Sequence, residues 1–168
     1  DELGPARGGG PLSEEDGAES RPVPPLIRRY IKTSFAFLIV GVLLGAYVST
    51  AQFLIGTYPP RLLITAHVHL LLAGFMLMVV MGVATWMFPR PARDDVRYRP
   101  ELAEAVYWLM TGSTCARALA EICAAYVDSS ALRVTIALGG LGQAGGVLLF
   151  VVNMWTRVRM PSTAPPRP

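Results

Sequence analysis

The sequence predicts an all-α integral membrane protein, a four-helix bundle whose N- and C-termini are both cytoplasmic. Of its 168 residues, 52% are hydrophobic and only 16% are charged, a balance that does not suit a water-soluble domain. A membrane span needs roughly 20 apolar residues, since each adds about 1.5 Å toward the ~30 Å of hydrocarbon. Four runs reach that length, at about 33–56, 62–88, 102–127 and 131–155.

The third run has the weakest hydropathy because it contains Arg117 and Glu121. A spacing of four residues places both side chains on one face of a helix, where they can form an ion pair inside the membrane. We therefore predict that 102–127 is also a span.

The basic residues predict the orientation of the spans. They gather before the first run, between the second and third, and after the fourth, whereas the other two loops hold only Arg61 and Arg133. By the positive-inside rule those two loops are external. The net charge of +3 is not gathered into one basic patch, so we expect no nucleic-acid partner. We expect a multi-pass protein of a bacterial-type cytoplasmic membrane, with the lipid bilayer as a partner.

Residues 1–25 and 161–168 are predicted to be disordered tails around a transmembrane domain at 26–160. Both tails are rich in Pro and hold few apolar side chains, which leaves little burial to offset the entropy of ordering. The first tail lacks the residue order of a cleaved signal peptide, so the first span is expected to serve as the insertion signal.

Small residues repeat at a spacing of four in two of the spans. Gly41 and Gly45 form one pair and Gly142 and Gly146 the other, a spacing that lets helix backbones approach closely. Packing within one protomer is the favoured interpretation, and a seam between protomers is the alternative. Gln143, among the second set of glycines, is expected to hydrogen-bond to a neighbouring helix.

The second span contains the only two histidines, His67 and His69. Two positions on a helix differ by about 200°, so the rings leave on opposite faces and cannot chelate one metal ion. No acidic or thiol cluster completes a zinc site, and the absence of Cys-x-x-Cys-His excludes covalent heme attachment. Cys115 and Cys123 lie on one helix too far apart to pair, and we expect them to be packing residues.

The residues alone leave two interpretations of the histidines open. Each imidazole could simply hydrogen-bond to a backbone carbonyl or to a neighbouring helix. Alternatively, each could supply an axial ligand to a noncovalently bound heme b. The macrocycle would then be buried among the apolar residues that follow, which include Leu70, Leu71, Leu72, Gly74, Phe75 and Met76.

The histidine segment resembles a known family. Ala66-His67-Val68-His69-Leu70, continuing to Gly74 and Gly82 and ending in Trp86, Phe88, Pro89 and Arg90, resembles the tenth helix of heme–copper oxidase subunit I, above all that of the C-family terminal oxidases. The resemblance implies that His67 faces a high-spin heme and His69 a low-spin heme, near the outer leaflet. The resemblance is specific over about residues 66–90, and elsewhere it extends only to the helical architecture.

The rest of that family's active site is missing from the sequence. Its oxygen chemistry needs three further histidines around copper, a redox tyrosine and a low-spin heme ligand from another helix, but this chain has two histidines in total. We therefore expect no copper, and we do not expect the chain to reduce oxygen or nitric oxide on its own.

A heme with two histidine ligands requires a second protomer, because no other span offers an imidazole. In a cyclic homo-oligomer, His69 of one protomer and His67 of the next would hold a heme at each interface. A homotrimer is preferred because three copies would supply twelve helices, the number that oxidase subunit I arranges in three arcs of four. A dimer, or a heme with one histidine and a Met or an open position, is the alternative.

Three arginines are candidate partners for heme propionates. Arg117 is expected at a depth similar to that of the histidines, and a buried ion pair with Glu121 is the equal alternative. Arg61 and Arg133 lie at the external rim, where the alternative is a solvated side chain.

These observations favour a heme b-binding membrane cytochrome related to oxidase subunit I, acting in electron transfer or as a redox component beside a respiratory chain, with a redox partner there. One alternative is a heme-based gas sensor or heme carrier with an exchangeable axial position. Another is a heme-free structural or assembly subunit of a respiratory complex.

Overall fold

The computed structural model describes residues 23–88 and 100–155, and their regular secondary structure is entirely helical. The predicted all-α fold is confirmed. The helices are α1 (Pro25–Ile55), α2 (Arg61–Met87), α3 (Pro100–Ala124) and α4 (Ser130–Trp155). The predicted tails lie outside the described residues, apart from residues 23–25.

The helix ends fall close to the predicted spans except at the start of α1. That helix begins at Pro25, well before residue 33, because its first two turns carry the basic residues Arg28, Arg29 and Lys32 and are helical without being apolar. Proline suits this first position, where its missing N–H has no intrahelical partner to lose.

Three of the described helices, α1, α2 and α4, are long and apolar enough to cross a membrane. The polar residues of α3 lower its hydropathy below that level. Large apolar side chains cover the outside of the helices, among them Phe35, Leu43, Leu54, Leu72, Leu141 and Leu148, as expected of a lipid-facing surface. These features indicate a multi-pass membrane protein, while the place of α3 in the membrane stays a prediction.

The four helices form an open arc in chain order. Each helix packs against the next, and within the described ranges α4 packs extensively on α3 but only sparsely on α1 and α2. The arrangement therefore differs from the predicted bundle. The physical reason is that the buried residues in the middle of α4, Gly139, Gln143 and Gly146, lie on one face and serve one neighbour.

The spaced glycines mediate packing within the protomer, as the favoured interpretation expects. A Cβ added at Gly41 would lie 2.7 Å from Cδ2 of Leu71 on α2, and one added at Gly146 would lie 2.7 Å from Sδ of Met110 on α3. A methyl group at either position would have to displace the facing side chain of Leu71 or Met110, so the glycines suit the close approach of the neighbouring helices.

Helix α3 carries its polar residues toward the other helices. They recur every three or four positions, the spacing of one helix face, and comprise Tyr107, Thr111, Thr114, Arg117 and Glu121. Tyr107 meets Thr33 of α1 at 2.8 Å between their hydroxyl oxygens, whereas Trp108 and Leu119 are 59% and 64% exposed. The low hydropathy of α3 thus arises from a polar face turned inward.

Candidate functional site

The two histidine side chains of α2 contact different neighbours. His67 hydrogen-bonds to α1 and His69 to α3, which confirms that the rings diverge. Directly after His69, the backbone of α2 adopts π-helical hydrogen bonding over Leu70–Leu77. Such segments are rare and frequently mark functional sites, because the wider turn changes which side chains share a face.

His67 is held by the backbone of α1. Its Nδ1 lies 2.8 Å from the carbonyl oxygen of Gly41. A carbonyl oxygen can only accept, so Nδ1 carries the proton and donates. In a neutral imidazole the lone pair then belongs to Nε2.

Gly45 makes room for the His67 ring. A Cβ added at Gly45 would lie 2.7 Å from Nδ1 of His67 and still closer to Cε1. Gly41 and Gly45 therefore act together, since the first supplies the acceptor and the second the space for the ring.

An apolar groove of about 410 Å³ opens beside His67 on the outer surface of α1 and α2. Its lining residues are Leu38, Val42, His67, Val68, Leu71, Leu72, Phe75 and Met76, and only His67 among them has a polar side chain. Four of the apolar residues predicted to surround a macrocycle line this groove. Leu70 and Gly74 do not, because both are buried in the protein.

His69 is held by a carboxylate. Its Nδ1 lies 2.9 Å from Oε1 and 3.1 Å from Oε2 of Glu121 on α3. The carboxylate accepts and Nδ1 donates, so the lone pair of the neutral ring is again at Nε2. The Glu121 side chain is only 1% exposed and that of His69 is 20% exposed.

Glu121 belongs to a polar cluster of five residues on three helices: His69, Thr114, Arg117, Glu121 and Gln143. Nε of Arg117 donates to Oε1 of Glu121 at 3.0 Å, and its Nη1 donates to Oε1 of Gln143 at 3.0 Å. Nε2 of Gln143 donates to Oγ1 of Thr114 at 3.1 Å. The predicted Arg117–Glu121 ion pair and the predicted contact of Gln143 with another helix are both confirmed.

The three arginines assigned to propionates lie in different surroundings. Arg117 is engaged with Glu121 and Gln143, so the ion-pair interpretation describes its contacts here. Arg61 is exposed at the start of α2, and Arg133 is exposed and forms an ion pair with Asp128. None of the three hydrogen-bonds to a histidine side chain within the described ranges, and their role toward a propionate stays a prediction.

The sequence did not reveal the groups that hold the imidazoles. The sequence indicates Glu121 only as the partner of Arg117, and the contact of Glu121 with His69 depends on how α2 and α3 pack. The Gly41 carbonyl carries no signal in the sequence beyond the glycine spacing.

Comparisons with models of protein families, with curated proteins and with solved structures find no match for this chain.

Proposed function

We propose that the protein is a heme b-binding membrane protein related to heme–copper oxidase subunit I, which serves in electron transfer without a copper centre. The observation that carries the proposal is the orientation of both imidazoles. Each donates Nδ1–H to an acceptor on another helix, which leaves Nε2 as the nitrogen with a lone pair.

This orientation is characteristic of histidines that ligate metals. A ligating histidine almost always donates its other ring N–H to a carboxylate or a backbone carbonyl, which fixes the tautomer and the ring orientation. His69 has the first kind of acceptor and His67 the second. A purely structural role explains the two Nδ1 contacts but does not explain Nε2. In a membrane a polar group needs a partner, and a bound metal would be a partner for Nε2.

The groove beside His67 suits a flat, apolar group. Its lining offers aliphatic and aromatic side chains and one nitrogen ligand, the combination that a heme requires of its protein. When bound, heme would supply one-electron chemistry, while the protein supplies ligation and burial. Because the groove lies on the outer surface, α1 and α2 cover a bound macrocycle from one side only.

A second protomer would supply the other side. We propose a cyclic homo-oligomer, preferably a trimer, in which His69 of one protomer and His67 of the next ligate each heme iron. The partial exposure of His69 and the open arc of four helices support this arrangement. Three such arcs would supply twelve helices, as in oxidase subunit I.

The proposal includes α3 as the fourth span, with both termini cytoplasmic. Two features of α3 support its placement in the membrane. Each of its buried polar groups has a partner on a neighbouring helix, and its outer face is apolar. The arginines around the predicted cytoplasmic ends favour that orientation.

The test is the absorption spectrum of protein purified from heme-replete membranes, with His67→Ala and His69→Ala beside it. We expect a low-spin spectrum that does not respond to carbon monoxide in the wild type. Each single variant should open an axial position, so that carbon monoxide shifts its Soret band. Ile64→Ala, a lipid-exposed position on the same helix, is the matched control and should keep the wild-type spectrum.

Three outcomes would contradict this function. A folded, colourless wild type would favour the heme-free structural subunit. A wild type that binds carbon monoxide would favour the sensor or carrier. Unchanged pigment after replacement of both histidines would remove the histidines from the site.

A further inference from the structure

The two imidazoles differ in the charge of the group that accepts their Nδ1–H. His67 donates to the carbonyl of Gly41, which is neutral. His69 donates to the carboxylate of Glu121, which is buried. The two histidines thus share the same tautomer but differ in the charge of the group that accepts their proton.

Arg117 forms an ion pair with the carboxylate that accepts the His69 proton. Its guanidinium donates to Oε1 of Glu121 at 3.0 Å. Gln143 accepts from Arg117 and donates to Thr114, which holds Arg117 beside the carboxylate. The low dielectric of the surroundings strengthens the electrostatic effect of the carboxylate on His69.

A hydrogen bond to an anion pulls the imidazole proton more strongly than one to a neutral carbonyl. The ring gains electron density, and its Nε2 becomes a stronger ligand. A stronger nitrogen ligand stabilises ferric iron more than ferrous iron, so a hydrogen bond of this kind to a ligating imidazole lowers a heme's reduction potential.

On the basis of the proposed function, we propose that Glu121 is a positioning residue that makes the two histidines unequal ligands, with His69 binding heme iron more tightly than His67 and lowering its reduction potential. Glu121 of α3 would then influence the electron density at the iron through His69, without touching the iron itself.

The first test needs no heme. The chain has only two histidines, so selective ¹⁵N-histidine labelling yields two ring systems, which His67→Ala and His69→Ala assign. In the heme-free protein we expect Nδ1–H in both rings, with the His69 proton further downfield because an anion deshields it more. Glu121→Gln should move that proton upfield and leave the His67 ring unchanged.

The second test uses heme. His67→Ala retains only the His69 ligand and should bind ferric heme roughly 10-fold or more tightly than His69→Ala, in line with the usual effect of an outer-shell carboxylate. Adding Glu121→Gln to His67→Ala should abolish this advantage. Glu121→Gln alone should raise the reduction potential of the heme-loaded protein.

Thr111→Val is the matched control, because it removes a hydroxyl from the same face of α3 whose contact is Sδ of Met78 and not the polar cluster. It should preserve both the downfield proton and the potential. If Glu121→Gln does not fold, owing to the unpaired Arg117, the double variant Arg117→Gln/Glu121→Gln removes both charges and should give the same upfield shift and the same rise in potential.

The two proposals fail in different ways. A wild type that binds no heme overturns the proposed function, while the proton shifts still test the inequality of the rings. Heme bound through both histidines whose potential and affinities do not respond to loss of the carboxylate overturns this inference and leaves the function standing. Equal Nδ1 proton shifts in the two rings also overturn it.

Discussion

At the scale of single residues, the placement of the His67 ring depends on Gly45, a position where α1 has no side chain. Gly45 faces the ring so closely that any Cβ would overlap it. The His67 imidazole is rigid and is already hydrogen-bonded to the Gly41 carbonyl, so it can move only a little to accommodate an added methyl group. The orientation of the His67 ring is therefore set as much by α1 as by α2.

We predict that Gly45→Ala displaces the His67 ring and leaves His69 in place. The added methyl group should break the bond to the Gly41 carbonyl and lower stability by about 1–3 kcal/mol, the usual range for overpacking. Thermal unfolding in detergent would measure the stability. With heme bound, the spectrum should resemble that of His67→Ala.

Gly112→Ala is the control for this substitution, because a Cβ there meets no heavy atom within 4 Å. It should leave stability and spectrum close to those of the wild type. Equal behaviour of the two glycine variants would show that Gly45 does not hold the ring.

At the scale of elements, α3 is the helix whose role hydropathy alone does not indicate. Its inward face carries the polar cluster, and its outward face carries Trp108, Cys115 and Leu119. A helix with this division lies in lipid only when its neighbours cover the polar face, which α2 and α4 do through His69 and Gln143.

We predict that Cys115 is inside the membrane, although it is exposed on the protein surface. In a Cys123→Ser background it should resist a membrane-impermeant maleimide in both intact and opened vesicles, and react once detergent replaces the lipid. The measurement is the labelled fraction by mass.

Ser129→Cys in a Cys115→Ser/Cys123→Ser background is the matched control. It lies in the loop between α3 and α4 and should react in lipid, from the external side only. Ready labelling of Cys115 in intact or opened vesicles would mean that α3 does not cross the bilayer.

At the scale of the whole molecule, the open arc leaves the groove beside His67 and the partly exposed His69 on the surface of one protomer. The two rings point to different neighbours and cannot meet at one iron. Under the proposed function, a heme with two histidine ligands would connect two protomers, and assembly and heme binding would be linked equilibria.

We predict a heme-loaded homotrimer by native mass spectrometry in a mild detergent. Because the heme would bridge protomers, His69→Ala should lower both heme content and the trimer fraction, while Ile64→Ala should change neither. A monomer that carries bis-histidine heme would rule out the shared site.

Much of the architecture follows from local sequence. Helix bounds, the divergence of His67 and His69, and the pairing of Arg117 with Glu121 depend on residues within one helix, where 3.6 residues per turn decides which side chains share a face. The spacing of the glycines likewise predicts close packing. These features needed no knowledge of which helices are neighbours.

The acceptor that each imidazole contacts is a feature of the tertiary structure. Gly41 is 26 residues from His67, and Glu121 is 52 residues from His69, so both contacts depend on how antiparallel helices align when they pack. The same alignment turns the polar face of α3 inward and leaves the arc open. Hydropathy and periodicity describe one helix at a time, whereas a neutral acceptor on one side of α2 and a charged one on the other arise only when three helices come together.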